Sequence, residues 1–176
     1  MASSNINNLA KISIIGHPAV GKTTMLKLLS KNTIEPMYIP TQGFDLKNIN
    51  INNSNVKVWD FGGQKAYISY LEDYLAGSDL VFIVTDSSPR NVLKSRQLIE
   101  LTQDVVESEC PIIAIANKQD LCTKDEGRMT QKLVEDLLQI KTYGLSAINP
   151  SERTKLINII KKELDHVLAR NECDMG

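Results

Sequence analysis

The stretch GHPAVGKTT, residues 16–24, decides the fold, because it sits where the β-branched run Lys11 to Ile15 gives way to the leucine-rich run Thr23 to Ser30. Its spacing is G-x-x-x-x-G-K-[ST], a glycine loop between a strand and a helix, whose amides and helix dipole converge on phosphate. Lys22 then reaches the terminal phosphates, and Thr23 offers a hydroxyl to Mg2+. The phosphate contacts expected are Gly16, Ala19, Val20, Gly21, Lys22, Thr23 and Thr24. Pro18 precedes the amides that do most of the cradling, so its missing N–H need cost no phosphate contact. His17 lies inside the loop, but a loop that works through its backbone leaves that side chain pointing to solvent. The loop by itself names neither the base nor the reaction.

Working outward, Phe44 to Ile51 and Val56 to Trp59 alternate apolar and polar residues around the turn formers Asn52 to Asn55, which reads as a hairpin. Leu80 to Val84 and Ile112 to Ala116 are continuous apolar runs, as expected of parallel strands covered on both faces. A helix capped by Ser88 and opened by Pro89 follows the first, with Val92, Leu93, Arg96, Ile99 and Glu100 marking a one-sided apolar face. Gly127 to Gln139 supplies another helix and Ile140 to Leu145 a last strand. Asn149 then caps, and Pro150 opens, a final helix with Leu156, Ile157, Ile160, Leu164, Val167 and Leu168 on its apolar side. This alternation predicts a doubly wound α/β fold: a mostly parallel six-stranded sheet with one antiparallel edge hairpin, helices on both faces and ligands at the strands' carboxyl ends. The domain is expected over residues 11–170, between a short polar N-terminal extension, 1–10, and a tail, 171–176.

Two further stretches fall at strand ends. In VWDFGGQ, residues 58–64, Asp60 ends an apolar run, where a carboxylate is expected to hold Mg2+ through water, while Gly62 and Gly63 permit the backbone to approach a terminal phosphate. A lone D-x-x-G is more often a turn with a solvated aspartate; its place after a phosphate loop reverses that balance. NKQD, residues 117–120, follows Ile112 to Ala116. Asp120 accepts from the guanine N1–H and exocyclic amine, a donor pair adenine lacks, so guanine is preferred. Lys118 is expected along the base, with Asn117 tying this loop to the phosphate loop. In Ser146-Ala147-Ile148 the Ala147 amide is offered to the guanine carbonyl.

Composition limits the partners. The 176 residues include 20 basic and 21 acidic side chains, for a net charge of −1, which leaves no electrostatic footprint for nucleic acid or an anionic membrane. Cys110, Cys122 and Cys173 form no C-x-x-C pair and fit a reducing cytoplasm. Lipidation is not expected at either end: Ala2 stands where myristoylation needs glycine, and Asp174 is polar where a prenylation box is aliphatic. A cytoplasmic protein with no direct membrane anchor is expected, reaching membranes only through partners.

GHPAVGKTT, PTQGF (residues 40–44), WDFGGQ, NKQD and SAI together resemble the small GTPases, and within them the Arf and Arf-like family, over residues 11 to about 168. The resemblance implies GTP and GDP as ligands with Mg2+. It implies that Thr41 closes on Mg2+ and the γ-phosphate, that Gly63 contacts the γ-phosphate and that Gln64 orients the attacking water, with Lys22 stabilising charge. It also implies a recognition triad of aromatics, matched here by Phe44, Trp59 and Tyr74, although core packing competes for these residues. A GTPase-activating protein, an exchange factor and effectors are the implied partners. The residues given depart from the Arf pattern at their start, where Ile6 and Leu9 are the only large aliphatics before Ala10, so a membrane-inserting switch of the usual kind is not expected.

Two other readings stay open at this point. A constitutively GTP-bound, Arf-like assembly subunit would hydrolyse little, against which Gln64 argues. A nucleotide kinase would share the phosphate loop, but NKQD and the lack of an arginine-rich lid speak against it.

Overall fold

The computed structural model describes residues 10–30, 44–51, 54–61, 70–123 and 127–174, with side chains described within 10–30, 70–123 and 127–165. Thr41, Gly63 and Gln64 lie outside the described residues, as do the side chains of Phe44, Trp59 and Asp60.

Apolar alternation and β-branched runs give six strands: β1 (Ala10–Gly16), β2 (Phe44–Ile51), β3 (Ser54–Phe61), β4 (Leu80–Thr85), β5 (Ile112–Ala116) and β6 (Thr142–Gly144). They form one sheet in the order β2-β3-β1-β4-β5-β6. Only β2 runs antiparallel to its neighbour, with Ile51 opposite Ser54 at the hairpin end. The helices are α1 (Lys22–Ser30), α2 (Leu71–Leu75), α3 (Pro89–Val105), α4 (Gln131–Leu138) and α5 (Arg153–Asp174). The expected six-stranded, doubly wound architecture is the one observed.

Strand pleating sorts the core into two layers. Leu80, Phe82 and Val84 of β4, with Ile113 and Ile115 of β5, pack under Met25, Leu26 and Leu29 of α1 and Leu156, Ile160 and Leu164 of α5. The alternate residues Val81, Ile83, Ala114 and Ala116 pack under Leu75 of α2, Val92 and Ile99 of α3, and Val134 and Leu138 of α4. Fully burying one such Leu, Ile or Phe stabilises the fold by roughly 1.5–3 kcal/mol. This double coverage explains why β4 reads as six consecutive buried residues.

Several local expectations are corrected. Leu93 is not on the buried face of α3: it is 53% exposed, and Val92, Ser95, Ile99 and Thr102 face inward instead. Ser88 sits at the N-cap position, yet its hydroxyl donates to Asp86 Oδ1 at 2.7 Å and makes no cap bond. The helix expected from Gly127 starts at Gln131, where Thr130 accepts from the Leu133 amide. Asn149 does cap, accepting from Ser151 N at 3.1 Å, but Pro150–Glu152 is a 3-10 turn that leads into α5. That helix runs to Asp174, into the residues expected to be a tail.

Edge strand β6 is short, and α4 covers its outer backbone groups. Glu135 Oε1 accepts from Thr142 N at 3.2 Å, and Gln131 Nε2 donates to Thr142 O at 2.9 Å. These bonds take up the groups that would otherwise template another strand.

Candidate nucleotide site

In a sheet of this order the ligand crevice lies beyond the carboxyl ends of the strands flanking the switch in winding, here β1 and its neighbours. Gly16 ends β1 against Val84 of β4, and a Cβ on it would meet the Val84 carbonyl oxygen at 2.4 Å. The loop then turns through two left-handed residues, Ala19 at φ 63° and Gly21 at φ 103°, while Pro18 is exposed. Lys22, buried at the start of α1, folds back over the loop and donates from Nζ to the carbonyls of Gly16 (3.1 Å) and His17 (3.0 Å). Neutral carbonyls thus hold an ammonium over a glycine-turned loop at a helix N-terminus, a donor set that fits phosphate.

His17 departs from expectation. Its ring is half-buried rather than directed to solvent, and Nε2 is enclosed with no hydrogen-bond partner. Burial lowers its pKa below the ordinary value. A hydrogen bond with the Lys94 backbone opposes that shift, and the charges of Lys94 and Lys22 add to it.

Asn117 is 2% exposed and satisfied on every side. Its amide donates to Thr85 O at 2.8 Å, continuing the β4–β5 pairing past the strand. Nδ2 donates to Val20 O at 2.9 Å, and Oδ1 accepts from Ala147 N at 3.0 Å. The predicted tie between the base loop and the phosphate loop is therefore present. The Ala147 amide, expected to serve the guanine carbonyl, donates to Asn117 Oδ1 and so closes the same clasp. Only a folded chain brings residues 117 and 147 together, so no short motif carries that signal.

Lys118 adopts a left-handed conformation, φ 60° and ψ 35°, and its Nζ donates to Ala19 O at 2.8 Å. Its stem thereby spans the gap between base loop and phosphate loop. Asp120 is exposed, and its amide donates to the Ser146 hydroxyl at 3.0 Å. Ile148, the third residue of SAI, is 65% exposed. Asp120 and Ser146 thus meet where the base loop and SAI come together beside the phosphate loop.

The residues expected to hold Mg2+ offer an alcohol and a carboxylate, oxygen donors suited to a hard cation. Thr23 is half-buried in the first turn of α1. Asp60 pairs with Ile14 in the β1–β3 register, two residues before the phosphate loop. Of the aromatic triad, Tyr74 is partly buried against the α2–α3 core layer, which supports packing as one of its roles.

Comparisons with known proteins agree with this arrangement. The family model described as the ADP-ribosylation factor family matches residues 2–167. An ADP-ribosylation factor-like protein 3 of Chlamydomonas reinhardtii is 39% identical over 114 residues, covering 64% of this chain and 64% of that protein. The Caenorhabditis elegans ADP-ribosylation factor-like protein 3 is 33% identical over 141 residues, 78% of this chain and 76% of that one. Among solved structures, the Arl6 BBS3 small GTPase of Trypanosoma brucei with bound GppNp superposes with a TM-score of 0.72 over 89% of this chain and 98% of that one. At 16% identity that likeness speaks for the fold alone. With the family model spanning nearly the whole chain, and a phosphate loop clasped to a base loop at the carboxyl ends of a doubly wound sheet, the chain belongs to the ADP-ribosylation factor family of small GTPases, GTP-binding switch proteins that generally hydrolyse GTP.

Proposed function

We propose that this chain binds GTP and GDP with Mg2+, hydrolyses GTP slowly and alternates between two states that effectors distinguish. The observation that carries this reading is the Asn117 clasp, which joins the residues suited to phosphate and those suited to guanine into one site. Asp120 reads the base, Lys118 covers it, and Gly16, Ala19 to Thr24 and the Lys22 ammonium hold the phosphates. Thr23, Thr41 and, through water, Asp60 hold Mg2+, which when bound neutralises charge on the phosphates. Gln64 orients the attacking water and Gly63 contacts the γ-phosphate, so hydrolysis releases Thr41 and Gly63 from the nucleotide.

Slow turnover follows from the arginine positions. Arg90, Arg96, Arg128, Arg153 and Arg170 all lie outside the stretch from Gly16 to Lys65. Arg96 donates to Leu137 O, Arg128 pairs with Asp86, and Arg153 donates to Leu29 O, so each is bonded to a partner outside the phosphate loop. The expected intrinsic rate is nearer the ~10⁻⁴ s⁻¹ of enzymes without an arginine finger than the ~10 s⁻¹ reached with one. An activating protein in trans and an exchange factor complete the cycle, and Phe44, Trp59 and Tyr74 are the proposed effector contacts. A cytoplasmic location fits Cys110 and Cys122, which are thiols and not disulfides.

The test is to denature the purified protein and identify the released nucleotide, then to follow single-turnover GTP hydrolysis with Mg2+. Guanine nucleotide and slow turnover support the reading. Adenine nucleotide overturns it, and fast unassisted hydrolysis removes the need for an activating protein.

A further inference from the structure

Ser87 belongs to none of the nucleotide motifs, yet it sits beneath the base loop. It follows Asp86 after the end of β4, is fully buried, and adopts φ 66°, a conformation uncommon for a residue with a side chain. Its hydroxyl donates to Asn117 O at 2.6 Å and accepts from Gln119 Nε2 at 2.8 Å. Its own carbonyl accepts from Met129 N at 2.8 Å, which anchors it to the segment leading into α4.

We propose that Ser87 is the positioning residue of the base loop and sets how long guanine nucleotide stays bound. The Asn117 carbonyl belongs to the peptide entering Lys118, so holding that oxygen fixes the peptide plane from which Lys118 turns left-handed. Gln119, the second group on the hydroxyl, is the residue before Asp120. One buried hydroxyl therefore grips both sides of Lys118 and determines where the Asp120 carboxylate is presented. Gln119 extends the brace, since its Oε1 accepts from Gln131 N at 3.2 Å and its Nε2 also donates to Met129 O at 3.2 Å. A left-handed buried serine persists only where its surroundings over-determine it, and here three bonds do so. None of the three goes to the phosphate loop, so its influence falls on the base and not on the γ-phosphate.

This inference rests on the guanine reading above, and the experiment separates the two. Ser87→Ala removes the hydroxyl and keeps the strain, whereas Ser87→Gly removes the hydroxyl and suits φ 66°, so loss of the brace is tested apart from loss of stability. Release of a fluorescent GDP is measured for wild type and both variants, together with relative affinity for GDP and inosine diphosphate, which lacks the amine that Asp120 reads. Both variants are expected to release GDP about tenfold faster, the scale of one buried hydrogen bond. Both also lose part of the GDP preference, while hydrolysis of pre-bound GTP stays close to wild type. Wild-type release from Ser87→Gly, or weaker binding of both nucleotides with undiminished discrimination, overturns the role of Ser87. A wild-type protein that binds inosine diphosphate as tightly as GDP overturns the guanine reading itself, and this inference with it.

Discussion

Asn117 Nδ2 lies 2.9 Å from the Val20 carbonyl across 97 positions of sequence, while Oδ1 of the same side chain accepts from Ala147 N. One amide side chain thus fixes three loops relative to one another. Asn117→Ala leaves a buried carbonyl and a buried N–H without partners, each costing about 1–3 kcal/mol. Thermal denaturation should show a clear loss of stability, and bound nucleotide should leave much faster. Asn117→Asp keeps the acceptor for Ala147 but sets an oxygen against the Val20 carbonyl, so it should be at least as damaging. Nucleotide retention by Asn117→Asp at the wild-type level would mean that the clasp does not organise the site.

Gly21 makes this close approach possible. Its φ is 103°, and a Cβ built on it would stand 2.2 Å from Asn117 Nδ2. Gly21→Ala therefore combines backbone strain of about 1–3 kcal/mol with displacement of the amide that joins the loops. The expected result is a folded but less stable protein that retains little nucleotide. Gly77, at φ 70°, has nothing near its missing Cβ, so Gly77→Ala should show strain alone and leave nucleotide retention intact. Comparing the two by denaturation and nucleotide content separates strain from collision.

The sheet and the nucleotide stretches are legible in the sequence because they are local: β4 and β5 are unbroken apolar runs, and GHPAVGKTT and NKQD need only strand ends to make sense. What the sequence hides depends on partners distant along the chain. Helix α2, Leu71–Leu75, is too short to show a helical period, and nothing in it announces a separate element. Ser88 reads as a cap because serine before proline usually is one, but Asp86, two residues back, takes its hydroxyl. Ser87, whose hydroxyl serves Asn117 and Gln119, carries no local signal at all. The bond from the Ala147 amide to Asn117 exists only in the folded molecule, so no local stretch shows it.

Asp86 links the end of β4 to the segment before α4. Its carboxylate accepts from Ser88 N at 3.1 Å and Ser88 Oγ at 2.7 Å, and Oδ2 pairs with Arg128 at 3.1 Å. Burial alone would raise its pKa, but hydrogen bonds from Ser88 and Asn91, together with the Arg128 charge, outweigh that and hold it below the ordinary carboxylate value. A carboxylate depressed in the folded state contributes stability above its unfolded pKa, lost as pH falls through the folded one. Asp86→Asn should lower stability by about 1–3 kcal/mol at neutral pH. It should also flatten the acid side of the stability–pH curve, measured by urea denaturation across that range. An acid limb identical to wild type would show that other carboxylates set it.

His17 gives the complementary test near neutrality. Burial depresses its pKa from the ordinary 6.5, helped by the charges of Lys94 and Lys22 and opposed by a hydrogen bond with the Lys94 backbone. An imidazole harder to protonate when folded than when unfolded gives the unfolded chain more bound protons between the two pKa values, so stability falls as pH drops through that window and rises again with pH. Two measurements check this. The His17 ring resonances should titrate with a midpoint below that of an exposed histidine. Between about pH 8 and about pH 5 the wild type should lose more stability than His17→Gln, which carries no titratable group there. Because Nε2 is enclosed without a partner, His17→Gln also tests whether that nitrogen weakens the loop: a glutamine that satisfies its own polar atoms should raise stability most at the acid end. Equal pH slopes for the two proteins, with an ordinary titration midpoint, would place the imidazole in solvent after all.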